Sequence, residues 1–214
     1  MAITNYSELV AAVSNWQGDR STDTDFQTRI PEFITLAETD LNTRADFRLR
    51  QMESDTAPAT TGNGIFTLPT DYLEWREVRA NTSTPTRLEF RPPSTMTEWY
   101  GAYNNTATVS GDPTHFTVSG GSIYTYPVNA TVIRLMYYAK IPALTATNTT
   151  NWLLSLSPNI YLFGSLMYAG IYLQDNELTQ RYAELFANAM RGVISQDRGQ
   201  RYARGAARNA GLTP

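Results

Sequence analysis

The spacing of apolar positions changes twice along the chain, from helical steps to alternation and back again. Residues 4–17 place Leu9, Val10, Val13 and Trp16 on one stripe, with Thr4 or Asn5 as the cap and Gly18 as the stop. A polar link, GDRSTDTD, follows. A second helix is predicted from about Asp23 to Arg44, capped by Asp23 or Asp25. In it Phe26, Ile30, Phe33, Ile34, Ala37 and Leu41 recur at three- and four-residue steps. Pro31 interrupts this run and is expected to start or kink the helix, because it lacks the N–H that the interior needs. Arg29, Glu32, Glu38, Asp40 and Arg44 are assigned to the opposite, solvated face.

From Phe47 to about Lys140 the pattern becomes short and alternating. FRLRQMESDTAP reads as a strand. GIFTLPTDYLEWREVRAN reads as a short strand, a one-turn helix at TDYLEW and a strand at REVRAN. RLEFRPP is another strand, and STMTEWYGAY is a brief helix capped by Ser94 or Thr95. Thr114–Val118 and Ser122–Tyr126 flank a Gly-Gly pair, a hairpin signal, and TVIRLMYYAK supplies a further strand. The block is expected to form a small antiparallel sheet or barrel-like module.

Residues 141–151 read as a linker. Ser157 followed by Pro158 marks a helix start. Ile160 to Leu173 is apolar all round, which implies burial on both sides, and Gly164, Ser165, Ala169 and Gly170 are small enough for another helix to approach closely. Residues 175–195 form an amphipathic helix whose apolar face carries Leu178, Tyr182, Leu185, Phe186, Ala189 and Met190, with Val193 following. The expected fold is α+β and mainly helical. Both chain ends (1–46 and 146–196) build a helical bundle, a β-rich module (47–145) is inserted between them, and an extended basic arm (197–214) follows.

Composition narrows the possibilities. Hydrophobic residues make up 42% of the 214 positions, enough for a sizeable core. Thirteen Tyr and four Trp suit subunit interfaces, although Tyr also favours strands. The net charge of −3 gives no global basic field for nucleic acid. There is no Cys, which excludes thiol catalysis, disulfides and Cys-ligated metals. The first residues lack the basic and apolar regions of a signal peptide. The Ile160–Leu173 run is shorter than the ~20 apolar residues of a membrane span. The N-x-S/T triplets at Asn5, Asn81, Asn104, Asn129 and Asn148 are read as chance in a Thr- and Asn-rich chain.

No motif for catalysis or cofactor binding stands out. His115 is the only His, and no GxSxG elbow accompanies it, so a strand-edge or surface role is preferred to a triad. Asp23, Asp25, Glu32, Glu38, Asp40, Glu53, Asp55, Asp71, Glu74 and Glu77 could supply a glycosidase pair, but nothing selects one. GNG at 62–64 and SGG at 119–121 read as turns rather than phosphate loops, and metal-ligand spacing is absent. No enzymatic role, cofactor or metal is expected.

The sharpest local signal is the C-terminal basic segment. Arg191, Arg198, Arg201, Arg204 and Arg208 face a single acid, Asp197, which leaves a charge of about +4, and Tyr202 is interleaved. A solvated tail, a nucleic-acid arm and a peptide arm for a protein partner all fit. The last is favoured, because Arg pairs bidentately with carboxylates and stacks on aromatic rings, and because Gly199, Ala203, Gly205, Ala206, Ala207 and Ala210 would let the arm lie in a groove. Such an arm would order on meeting its partner.

Three phrases carry a family resemblance: DFQTRIPEFITLAETDLNTRADFRLRQME, GIFTLPTDYLEWREVRA and QDRGQRYARGAARNAG, of which LPTDYLEWREV is the most specific. With them the chain resembles the head-to-tail adaptor (connector, or head-completion) proteins of short-tailed bacteriophages. The resemblance implies a structural virion protein at the head–tail interface, made in the bacterial host cytoplasm. It implies a homo-oligomeric, dodecameric ring under the portal protein that extends the DNA channel and meets the tail or nozzle protein. DNA would pass without specific binding, no membrane would be involved, and a C-terminal extension would insert into the portal. On this chain Arg198, Arg201, Tyr202, Arg204 and Arg208 would be the portal contacts. The competing expectation is a tail component that binds carbohydrate through its aromatic β module, using Trp75 or Trp99.

Overall fold

The computed structural model describes residues 2–18, 20–81, 86–101 and 109–202. The fold is α+β, with six helices and two four-stranded sheets among these residues. The chain divides into a helical unit, from the N-terminus to Gln51 and from Ile141 onward, and a β unit, Met52–Lys140.

In the helical unit, α1 (Tyr6–Trp16) is capped by Asn5, whose side chain accepts from the Glu8 amide. Its stripe buries Leu9 and Val13, but Trp16, expected on the same face, is 53% exposed. Helix α2 (Thr24–Thr43) is capped by Asp23. Pro31 does not start it, because the helix is continuous through the proline. The apolar stripe on either side is fully buried and holds the backbone in place at the position where the N–H is missing. Helix α4 (Trp152–Leu156) leads through Ser157 into α5 (Pro158–Tyr172), which packs against α1, α2 and α6 (Asn176–Tyr202). Gly164 sets the closest approach. A Cβ there would lie 2.9 Å from Ala37 Cβ and 3.0 Å from Phe186 Cε2. The run Ile160–Gly170 is largely buried as expected, but Ile171 and Tyr172 are exposed.

The stretch 141–151 is more than a link. Ile141 and Leu144 are buried, the Ile141 amide donates to Asn42 Oδ1 (3.0 Å), and the Leu144 amide donates to Glu38 Oε1 (2.8 Å). At its far end the Tyr6 amide donates to the Thr149 carbonyl at 2.8 Å.

The β unit is a pair of sheets sharing one core. Its strands are β1 (Glu53–Thr56), β2 (Ile65–Thr67), β3 (Tyr72–Ala80), β4 (Thr86–Arg87), β5 (Glu89–Phe90), β6 (His115–Ser119), β7 (Ser122–Tyr126) and β8 (Ile133–Ala139). One sheet has the order β1-β8-β3-β4 and the other β2-β7-β6-β5. Phe66, Val78, Phe116, Ile123, Ile133 and Leu135 fill the space between them. The module is not wholly antiparallel as expected, because β5 pairs parallel with β6. The cause is Leu88, which is buried between β4 and β5. The chain leaves one sheet at Arg87 and joins the other at Glu89, so RLEF is two short strands rather than one.

Two further expectations are corrected. TDYLEW is not a helical turn, because β3 starts at Tyr72 and runs to Ala80. Register shifts between Tyr72 and Glu74 and between Trp75 and Glu77 place Tyr72, Trp75 and Val78 against the same core. Bulges therefore give a strand the three-residue spacing of a helix. The helix α3 (Pro93–Tyr100) is preceded by Pro92 at its cap position. Ser94 and Thr95 lie inside it and no side chain caps it. The β6–β7 hairpin follows expectation, with Gly120 and Gly121 at φ of 55° and 78°, as a type I′ turn requires.

Candidate partner-docking site

The apolar stripe of α6 runs Tyr182, Phe186, Met190, Val193, and its next position is Asp197, only 7% exposed. The helix therefore carries a carboxylate inward where a methyl group would be expected. Opposite it lies the segment Phe47-Arg48-Leu49-Arg50. Phe47 and Leu49 are buried, a short 3-10 helix begins at Arg50, and the exposed Arg50 side chain reaches the end of α6.

The polar groups then interlock. Asp197 Oδ1 accepts from the Arg50 amide (3.1 Å), and Asp197 Oδ2 forms an ion pair with Arg201 Nε (2.8 Å). Arg201 also donates to the Arg48 carbonyl (3.3 Å), and the Arg50 guanidinium donates to Gln200 Oε1 (2.8 Å). Arg48 turns back to donate to the Phe47 carbonyl (3.1 Å) and to the carbonyl of Arg44, the cap of α2 (2.7 Å). Asp46, Arg48, Leu49, Ile194, Asp197, Arg198 and Arg201 line a cleft of about 180 Å³.

This geometry corrects the boundary of the arm. The helix expected over 175–195 continues to Tyr202, so Arg198 and Arg201 belong to its last turns and Tyr202 closes it. Arg201 is engaged within the chain, whereas Arg198 is exposed on the neighbouring position of the helix. Arg204 and Arg208 lie outside the described residues. Sequence reasoning missed Asp197, Arg50 and Gln200 as the anchor. The available signal was an acid at a stripe position with an arginine four residues later.

The other candidates resolve differently. Glu38, expected on the solvated face of α2, is 5% exposed. Its Oε1 accepts from the Tyr161 hydroxyl (3.0 Å) as well as from the Leu144 amide, and that hydroxyl accepts from Asn151 Nδ2 (2.6 Å). Burial pushes the Glu38 carboxyl above its ordinary range, against the two hydrogen bonds that pull it down. Burial, together with the nearby Glu38 charge, pushes the Tyr161 phenol well up. His115 opens β6. Its Nδ1 lies 3.0 Å from the Tyr100 hydroxyl and 2.8 Å from Thr114 Oγ1, with Glu89 4.0 Å from Nε2. Trp75 stacks on Phe90 at 5.6 Å, and Trp99 is 50% exposed beneath the Arg91 guanidinium. Among the described residues no group of three or more His, Asp or Glu could hold a metal ion, and no helix is long and apolar enough to cross a membrane.

Residues 4–210 match the SU10 adaptor protein family, and the chain belongs to that family. It is a bacteriophage adaptor, a structural protein of the virion. No curated protein sequence matches the chain.

Proposed function

We propose that this chain forms the ring that joins the portal to the tail or nozzle and extends the DNA channel, with its C-terminal segment docking on the portal. The observation that carries the reading is the family match, which spans nearly the whole chain. The ring is dodecameric, in keeping with head-to-tail adaptors, and assembles in the host cytoplasm as the head is completed. Its partners are the portal protein, the tail or nozzle protein and further copies of itself. DNA passes through without specific contacts, as suits a chain of net charge −3.

The outer face of α2 supports lateral association. Thr35 and Thr39 turn their hydroxyls back onto the carbonyls of Pro31 (2.9 Å) and Thr35 (2.8 Å). Their methyl groups therefore face outward beside Leu36, which is 45% exposed. Such a face has few unmet polar groups and suits a neighbouring subunit. The test is the mass of the full chain alone and after mixing with a portal ring. The expected result is a stoichiometric ring-on-ring complex. A chain that stays unbound at high concentration overturns the reading.

A second reading is a carbohydrate-binding tail component. It rests on the exposed indole of Trp99 and the exposed ring of Phe90, which stacks on Trp75, as apolar surfaces of the kind sugars pack against. It predicts saccharide binding that Trp99→Ala removes, and a flat saccharide titration rejects it.

A further inference from the structure

We propose that the cleft at the root of the C-terminal segment receives a carboxylate from an acidic segment of a protein partner. The proposal deepens the adaptor reading and rests on it. It moves part of the docking chemistry from the terminal segment onto the folded helical unit.

Four features point this way. First, the cleft is small, about 180 Å³, and three of its walls are arginine: Arg48, Arg198 and Arg201. That volume suits a side-chain carboxylate. Second, two of the three guanidiniums are already held in place, Arg201 by Asp197 and by the Arg48 carbonyl, and Arg48 by the carbonyls of Arg44 and Phe47. A ligand therefore meets preorganised donors and loses little side-chain entropy on binding. Third, Arg198 is exposed at the mouth, and among the described residues it makes no hydrogen bond or ion pair. Fourth, Lys140 is the chain's only lysine, so the basic residues here are all planar forks that match a carboxylate.

The same cleft argues against a nucleic-acid backbone. Asp46 and Asp197 also line it. A continuous run of phosphates would meet both carboxylates, whereas one carboxylate reaching in beside Arg198 need not. Arg201 already neutralises Asp197, so the remaining attraction centres on the exposed Arg198.

The test uses the full chain with hexaglutamate as the probe, a short DNA duplex as the competitor class, and low and moderate salt. Hexaglutamate is expected to bind in a salt-sensitive manner. Arg198→Glu should weaken it about tenfold or more, while Arg208→Glu should change it far less. The circular dichroism of Arg198→Glu should match wild type, because Arg198 is exposed and makes no hydrogen bond or ion pair among the described residues. Absence of hexaglutamate binding at low salt, or equal binding by Arg198→Glu, overturns the proposal. Duplex binding that depends on Arg198 overturns it in favour of nucleic acid. Capture on a portal ring separates the two levels of the argument. If the chain is captured and does not bind hexaglutamate, the cleft proposal falls and the adaptor reading stands. If it binds hexaglutamate through Arg198 and is not captured, the portal-docking reading falls and the acid-binding cleft stands.

Discussion

Glu38 shows how one buried carboxylate can order a stretch with no regular structure. Its Oε1 joins α2 to the 141–151 stretch through the Leu144 amide and to α5 through the Tyr161 hydroxyl. Removing it in Glu38→Ala orphans two buried donors, at a cost of about 1–3 kcal/mol for each, which chemical denaturation at neutral pH would register. Glu38→Gln keeps an acceptor oxygen and removes the charge. Because burial raises the folded-state pKa of Glu38 above 4.5, the native state binds the proton more tightly than the unfolded chain. The stability that Glu38 contributes is then fully present below its unfolded pKa and declines as pH rises through the raised folded value. The stability of wild type relative to Glu38→Gln should therefore increase as pH is lowered from neutral toward 4.5. A pH-independent difference between the two proteins would mean that the carboxyl is not perturbed.

At the scale of elements, close approach and open space distinguish otherwise similar glycines. Gly164→Ala places a methyl group within 2.9 Å of Ala37 Cβ and 3.0 Å of Phe186 Cε2, against two helices at once. It should cost about 1–3 kcal/mol. Gly192 lies in α6 with nothing within 4 Å of a Cβ built there. Gly192→Ala should instead stabilise by about 0.5–1 kcal/mol through helix propensity. Opposite shifts in melting temperature would check both. The helices were legible because their stripes repeat at 3.6 residues over long runs, as in Phe26 to Leu41 and Tyr182 to Val193. The strand β3 was not, because its bulges give Tyr72, Trp75 and Val78 a helical spacing. The division of RLEF at Leu88 depends on the second sheet, which no local pattern announces. Glu38 was misplaced for the same reason, since its partners Leu144 and Tyr161 lie more than a hundred residues away in sequence.

For the whole molecule, the question is what holds the end of α6 and which residues the proposed portal docking needs. Charge alone suggested a break near residue 196, because the run of arginines starts there and small residues follow. The helix instead continues to Tyr202, and Asp197, Gln200 and Arg201 are bonded to the Arg48–Arg50 segment, some 150 positions earlier in the chain. Two truncations separate the roles. Ending the chain after Gln196 removes Asp197 and leaves the Arg50 amide without its acceptor. It should lower stability by about 1–3 kcal/mol and should abolish portal capture. Ending it after Tyr202 keeps every one of these contacts. That variant should melt as the full chain does and still lose most of its portal binding, because Arg204 and Arg208 are gone. Equal melting temperatures for the two truncations would show that the Asp197 anchor contributes little. Full portal capture by the chain ending at Tyr202 would mean that the folded unit alone, with its Arg198 cleft, carries the docking, and that the last residues are dispensable for it.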